Sequence, residues 1–153
     1  MMVSLVGVGV LIGAPLSGII SDRIVHSRRA VVAVGTVLYT AVWGIIFLTA
    51  GTDGTESVCI QGIINFLFGF FAAFFVPSFA LVKEKYPVSM AGTSTSVLNM
   101  FPFAGGAILV TLSGFLIGGQ TLHDYQGLWA VMFILAIVSC AFIFLSRENK
   151  KGS

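Results

Sequence analysis

The sequence predicts an all-α integral membrane protein with five transmembrane helices, and three observations carry that prediction. Of 153 residues, 57% are hydrophobic and only 9% charged, with a mean hydropathy of +1.02. A soluble domain is normally about a quarter charged, and eight basic and six acidic residues cannot clothe a water-facing globule of this length. Secondly, a bilayer core of roughly 30 Å takes about 20 apolar residues at 1.5 Å each, and five stretches are long enough: 2–21, 30–50, 58–82, 93–118 and 127–145. Thirdly, the charges gather in the short connections between those stretches. Lipid leaves no water for exposed backbone groups, so the spans must be helical, and the strict alternation of barrel strands is absent.

The first span carries Gly9-x-x-x-Gly13, extended by Ala14 and Gly18, a small-residue stripe that implies a partner helix along its length. It ends in "SDRIVHSRR", where Asp22 and Arg23 leave the helix and the Arg28–Arg29 pair opens the next. The second span places Tyr39 and Trp43 on one face with Gly35, which reads most simply as packing. In the third, Gln61 and Asn65 lie four apart on a face that continues through Gly69 and Ala72, amid a crowd of phenylalanines. The fourth holds Thr95 and Asn99, also four apart, then Pro102, Gly105 and Gly106, then Gly114-x-x-x-Gly118. Proline withholds an amide and the glycines add pliability, so a helix break is expected there. The last span begins beside Tyr125 and Trp129, a fitting interfacial anchor.

If five helices alternate, one side receives Arg23, Arg28, Arg29, Lys83, Lys85, Arg147, Lys150 and Lys151, and the other side only Asp53, Glu56 and Asp124. The positive-inside rule then puts the C-terminus, with a tail over 147–153, in the cytoplasm and the N-terminus outside. A first span with nothing ahead of it, starting outside, leads us to expect that residues preceded it. The first 22 residues hold no Lys or Arg, unlike the charged start of a signal peptide.

Several function classes fall away. A net charge of +2 with no aromatic-interleaved basic run does not suggest nucleic acid. Cys59 and Cys140 are isolated thiols in apolar runs, with neither metal-ligand nor disulfide spacing. His26 and His123 sit in loops on opposite sides, and no nucleophile with a base, carboxylate pair or metal cluster offers an enzyme site. No catalytic residue, metal or cofactor is therefore expected. Nor does a charge ring or carbonyl-filter sequence mark a pore.

A basic cytoplasmic turn accounts for the charges of "SDRIVHSRR", but their order says more. Gly18-x-x-x-Asp22-Arg23 followed by Arg28-Arg29 resembles the loop signature of the major facilitator superfamily, found between helices 2 and 3 and, as a weaker copy, between helices 8 and 9. Val25 stands where that signature has glycine, and one extra residue precedes the arginine pair, departures that suit the weaker copy. Independently, "VKEKYPVSMAGTSTSVLNMFPFAGGAILVTLSGFLIGG" resembles the helix 10–11 region of bacterial permeases in that superfamily, through Glu84, Pro87, Gly92, Thr93, Asn99, Pro102, Gly105 and Gly106. Both resemblances agree on a numbering in which the five spans match helices 8–12 of a partial major facilitator-type bundle.

The resemblance implies a segment of a secondary transporter that moves a small solute by alternating access in a bacterial inner membrane. Gly18, Asp22, Arg23, Arg28 and Arg29 would form a gating loop, with Asp22 docking on the N-terminal end of a helix in the other half. Gln61, Asn65, Thr95 and Asn99 become candidate pathway residues, although Asn65 lies roughly 7 Å outside the midplane and Asn99 roughly 9 Å inside it. Interhelical hydrogen bonding, worth about 0.6 kcal/mol on average, explains them equally well. No ionisable residue falls in the middle of any span, so a coupling carboxylate is not expected here. Besides solute and lipid, the expected partner is an N-terminal transporter half or another copy of the chain. The alternative is a small five-helix structural or accessory membrane protein, or a non-functional transporter remnant.

Overall fold

The computed structural model describes residues 2–49, 57–119 and 121–145. Within them lie six α-helices: α1 (Met2–Ile19), α2 (Arg28–Thr49), α3 (Val58–Ala72), α4 (Pro77–Lys85), α5 (Ala91–Leu116) and α6 (Leu122–Leu145). A 3₁₀ turn at Ala73–Phe75 joins α3 to α4, and together they make one long apolar rod, so five helices are long and apolar enough to cross a membrane. The last begins at Leu122, five residues before the expected edge, because Thr121 and Asp124 form a reciprocal cap. The Asp124 carboxylate accepts from Thr121 N–H at 3.1 Å, and Thr121 Oγ1 accepts from Asp124 N–H at 3.3 Å. The tail over 147–153, and Asp53 and Glu56, lie outside the described residues.

Contact register gives the relative directions of α1, α2, α3 and α6. Advancing along α1 also advances along α3, from Gly9 beside Phe66 and Phe70 to Gly13 beside Phe70 and Ala73, so these two run parallel. Advancing along α2 retreats along its neighbours: Gly35 meets Phe74 while Trp43 meets Phe68, and Arg29 meets Phe144 while Phe47 meets Phe133. The central helix α2 is therefore antiparallel to both α3 and α6, and among the described residues it supplies half of the buried apolar side chains, Val31, Val32 and Val42. Thr40 Oγ1 donates both to Thr36 O, at 2.8 Å, and across the interface to Ala136 O, at 3.2 Å. The peripheral helix α5 packs on α4 and α6 and has no buried residue.

The structure moves two expected features. The first-span stripe is Gly9, Gly13, Ser17 and Ser21, all buried, rather than a line ending in Ala14 and Gly18. Its partner is α3 of this same chain, because a Cβ on Gly9 or Gly13 would collide with α3 backbone, and one on Gly69 with Val6. A Cβ on Gly18 would meet nothing within 4 Å. The helix break is likewise elsewhere. Helix α5 runs unbroken from Ala91 to Leu116 through Pro102, because losing one amide removes a single ladder bond and nothing packs beside Gly105 or Gly106 to wedge the turn open.

The third span is the interrupted one. Pro77 has no amide for the Ala73 carbonyl, which instead accepts from Val76 N–H at 3.1 Å and from the buried Ser17 hydroxyl at 3.4 Å. An irregular stretch at membrane depth requires such substitution of lost backbone bonds, and here Val76 N–H provides it, with the Ser17 hydroxyl of α1, which also reaches Ala14 O at 2.9 Å, as a longer second donor.

Candidate functional site

The charged end of the bundle is built by a kink. After Ile19 the first helix widens into a π-helical turn over Ile20–Val25, and His26 then takes a left-handed conformation (φ 52°, ψ 23°). A π turn takes up an extra residue in a helix. The left-handed residue falls one position after Val25, matching the one-residue excess before the arginine pair. The bend returns the chain so that Arg28, in the first turn of α2, faces back to Asp22.

Arg28 holds two carboxylates. Its Nε donates to Asp22 Oδ1 at 3.2 Å, and its Nη1 lies 2.6 Å from Glu84 Oε1 at the end of α4. Asp22 pairs with arginine within this chain, because the kink places Arg28 beside it. Arg29 points the other way and donates from Nη2 to Ile143 O at 3.4 Å and Phe144 O at 3.1 Å, a cation on the terminal carbonyls of α6. Two adjacent arginines thus tie together the ends of α1, α4 and α6.

The acids are 59% and 60% exposed and Arg28 is 26% exposed. Pairs this wet contribute at most about 1 kcal/mol each, so this end is held by contacts that a modest motion can exchange. Arg23 and Gly18 complete the gating-loop residues, the first exposed and the second part-buried with open space above it. Glu84 is the member that sequence reasoning gave no role in this loop. Its pairing depends on long-range packing of α2 on α4, which no local pattern encodes.

The polar pairs of the third and fourth spans stay apart. Asn65 donates from Nδ2 to Gln61 O of its own helix at 2.8 Å, and the Gly69 end of their face is filled by α1. Thr95 likewise returns its hydroxyl to Ala91 O at 2.7 Å. Asn99 alone of the four is exposed, beside a shallow open groove of about 370 Å³ that Ser96, Val97, Met100 and Phe103 also line. Tyr39 and Trp43 close on Phe68, with ring centroids 5.0 and 5.3 Å away, and serve packing.

Five helices long and apolar enough to cross a membrane, tied at one end by exchangeable ion pairs, define a multi-pass α-helical membrane protein. A profile of the Major Facilitator Superfamily matches residues 1–153, and the chain belongs to that superfamily, whose members are secondary transporters and not enzymes. No individual curated protein and no solved structure matches it.

Proposed function

We propose that this chain is the carboxy-terminal part of a secondary transporter, equivalent to helices 8–12 of the family, and that it moves a small solute by alternating access. It works with an amino-terminal half or with a second copy of itself. It lies in a bacterial inner membrane with its C-terminus in the cytoplasm, a placement supported by the gathering of Arg23, Arg28, Arg29, Lys83 and Lys85 at one end.

The observation that carries the reading is the Asp22–Arg28–Glu84 clamp. It is a latch of the right strength: two exposed carboxylates share one guanidinium, so Asp22 can leave for another partner while Glu84 keeps Arg28 neutralised. The open side of Gly18, one helical turn before Asp22, supports approach of a helix from outside the chain at that point. Thr95 and Asn99 on α5 line the solute path towards the latch, and Gln61 and Asn65 stand near its other mouth.

The test is uptake into reconstituted vesicles from a panel of neutral and anionic metabolites, by the chain alone and by the chain with whatever spans precede it in its gene. Asp22→Asn in the active form should slow initial uptake several-fold and leave thermal stability nearly unchanged. Unaltered rates would eliminate the latch. Uptake by neither form would count against the transporter reading itself.

A further inference from the structure

The charged end holds more positive charge than its own contacts use. Among the described residues the acids there are Asp22 and Glu84, and both are committed to the one guanidinium of Arg28. Arg29 faces the α6 carbonyls. Arg23 follows Asp22 directly, and Lys83 and Lys85 flank Glu84, so the clamp itself draws these three cations into one neighbourhood. All three are exposed.

Apolar groups adjoin them. Ile24, beside Arg23, is 68% exposed, and Tyr86 and Val88, just past Lys85, are 50% and 93% exposed. Such side chains are unfavourable in bulk water and comfortable at the edge of a hydrocarbon layer, where tyrosine in particular collects. The position is consistent with that edge, because the first and third candidate spans end at Val25 and Lys85.

We infer that Arg23, Lys83 and Lys85 form a binding collar for anionic phospholipid headgroups, with Ile24, Tyr86 and Val88 seated in the acyl boundary of the same leaflet. The charge complementarity selects the lipid: the patch is net positive after its own acids are paired, and a juxtamembrane cation attracts an anionic headgroup across a distance set by the Debye length. The exposed apolar neighbours favour a lipid over a free anion, since a dissolved anion gains nothing from them. The collar does not depend on transport.

The whole chain in phosphatidylcholine bilayers, probed with trace nitroxide-labelled phosphatidylglycerol or phosphatidylcholine, provides the test. The motionally restricted fraction should show a preference on the order of fivefold for phosphatidylglycerol at low salt. Arg23→Gln/Lys83→Gln/Lys85→Gln should bring it near parity, while Arg23→Lys/Lys83→Arg/Lys85→Arg should preserve it. If circular dichroism shows that the triple glutamine variant has lost helix, each single glutamine variant should still lower the preference. Equal restriction of both lipids by the unaltered chain, or a preference that survives every glutamine variant, overturns the collar. So does displacement of labelled phosphatidylglycerol by inorganic phosphate beyond the effect of chloride at matched ionic strength, which would mean a site for free anions.

Discussion

Glycine is used in opposite ways by α1 and α5. On α1, Gly9 and Gly13 lie against the backbone of α3, and Gly69 returns the contact against Val6. Added atoms have no room, and Ser17 turns the same close approach into a hydrogen bond to the interrupted third span. On α5, Gly92, Gly105, Gly106 and Gly114 all face open space, and the helix has no buried residue. In lipid, apolar burial alone gives helices little reason to associate, so close packing and interhelical hydrogen bonds must hold them. The first seam has both. Helix α5 rests on few contacts within the chain, so its glycines have another reason to be there, either pliability or a neighbour outside the chain.

One methyl group added to the α1–α3 seam, and another to the open face of α5, tests whether the two helices use glycine so differently. Gly69→Ala should be the most damaging small change in the chain, since the new Cβ would meet the Val6 carbonyl and both are backbone-bound. Overpacking of this kind costs about 1–3 kcal/mol, and a site with no flexible neighbour belongs at the upper end. Reversible unfolding in mixed micelles would measure it. A loss below about 0.5 kcal/mol would mean that the seam is looser than its geometry and that α1 can slide on α3.

A smaller effect sharpens the role of α2. Thr40→Val keeps the volume and removes the hydroxyl that reaches Ala136 O on α6. Its own-helix bond to Thr36 O is lost as well, but that carbonyl retains its helical amide. The expected loss is about 0.6 kcal/mol, the average for an interhelical bond in a membrane protein. A loss of several times that value would show that α6 hangs on this contact, and then Arg29 at its far end is not the tether its geometry suggests.

The sequence made some of this legible and hid the rest, for reasons that differ residue by residue. Five apolar helices and their connections followed from composition and length, because the bilayer imposes both. Asp22 and Arg28 lie six residues apart, close enough for one turn to join them, whereas nothing local said that Arg29 would face α6 instead. What the small-residue stripe packs against was not legible either. Gly9 and Gly13 announce a close neighbour without naming it, and only the parallel register of α1 on α3 supplies the name. The interrupted helix was misplaced because Pro102 comes with two glycines and looks weaker than Pro77. Yet an isolated proline in a lightly packed helix is absorbed, whereas at Pro77 the chain tightens so that Val76 N–H takes the Ala73 carbonyl, with the Ser17 hydroxyl of α1 as a second, longer donor. The reciprocal cap of "TLHD" at residues 121–124 was readable as a helix start and would have moved the last boundary to its observed place.

The smallest expected effect bears most directly on what α5 is for. Gly106→Ala adds a methyl group where nothing lies within 4 Å. In the chain by itself it should change stability by no more than about 0.5 kcal/mol, as substitutions away from packed features do, and alanine's better helix propensity favours the variant if anything. The same substitution in the assembly proposed above gives the informative contrast. If a helix of the other half approaches this face, the methyl group should lower transport or assembly although the isolated chain is unharmed. If both stability and transport are untouched, the open side of Gly106 is lipid. The glycines beside Pro102 would then serve only to keep α5 pliable, a property that Pro102→Ala with Gly106→Ala should remove together.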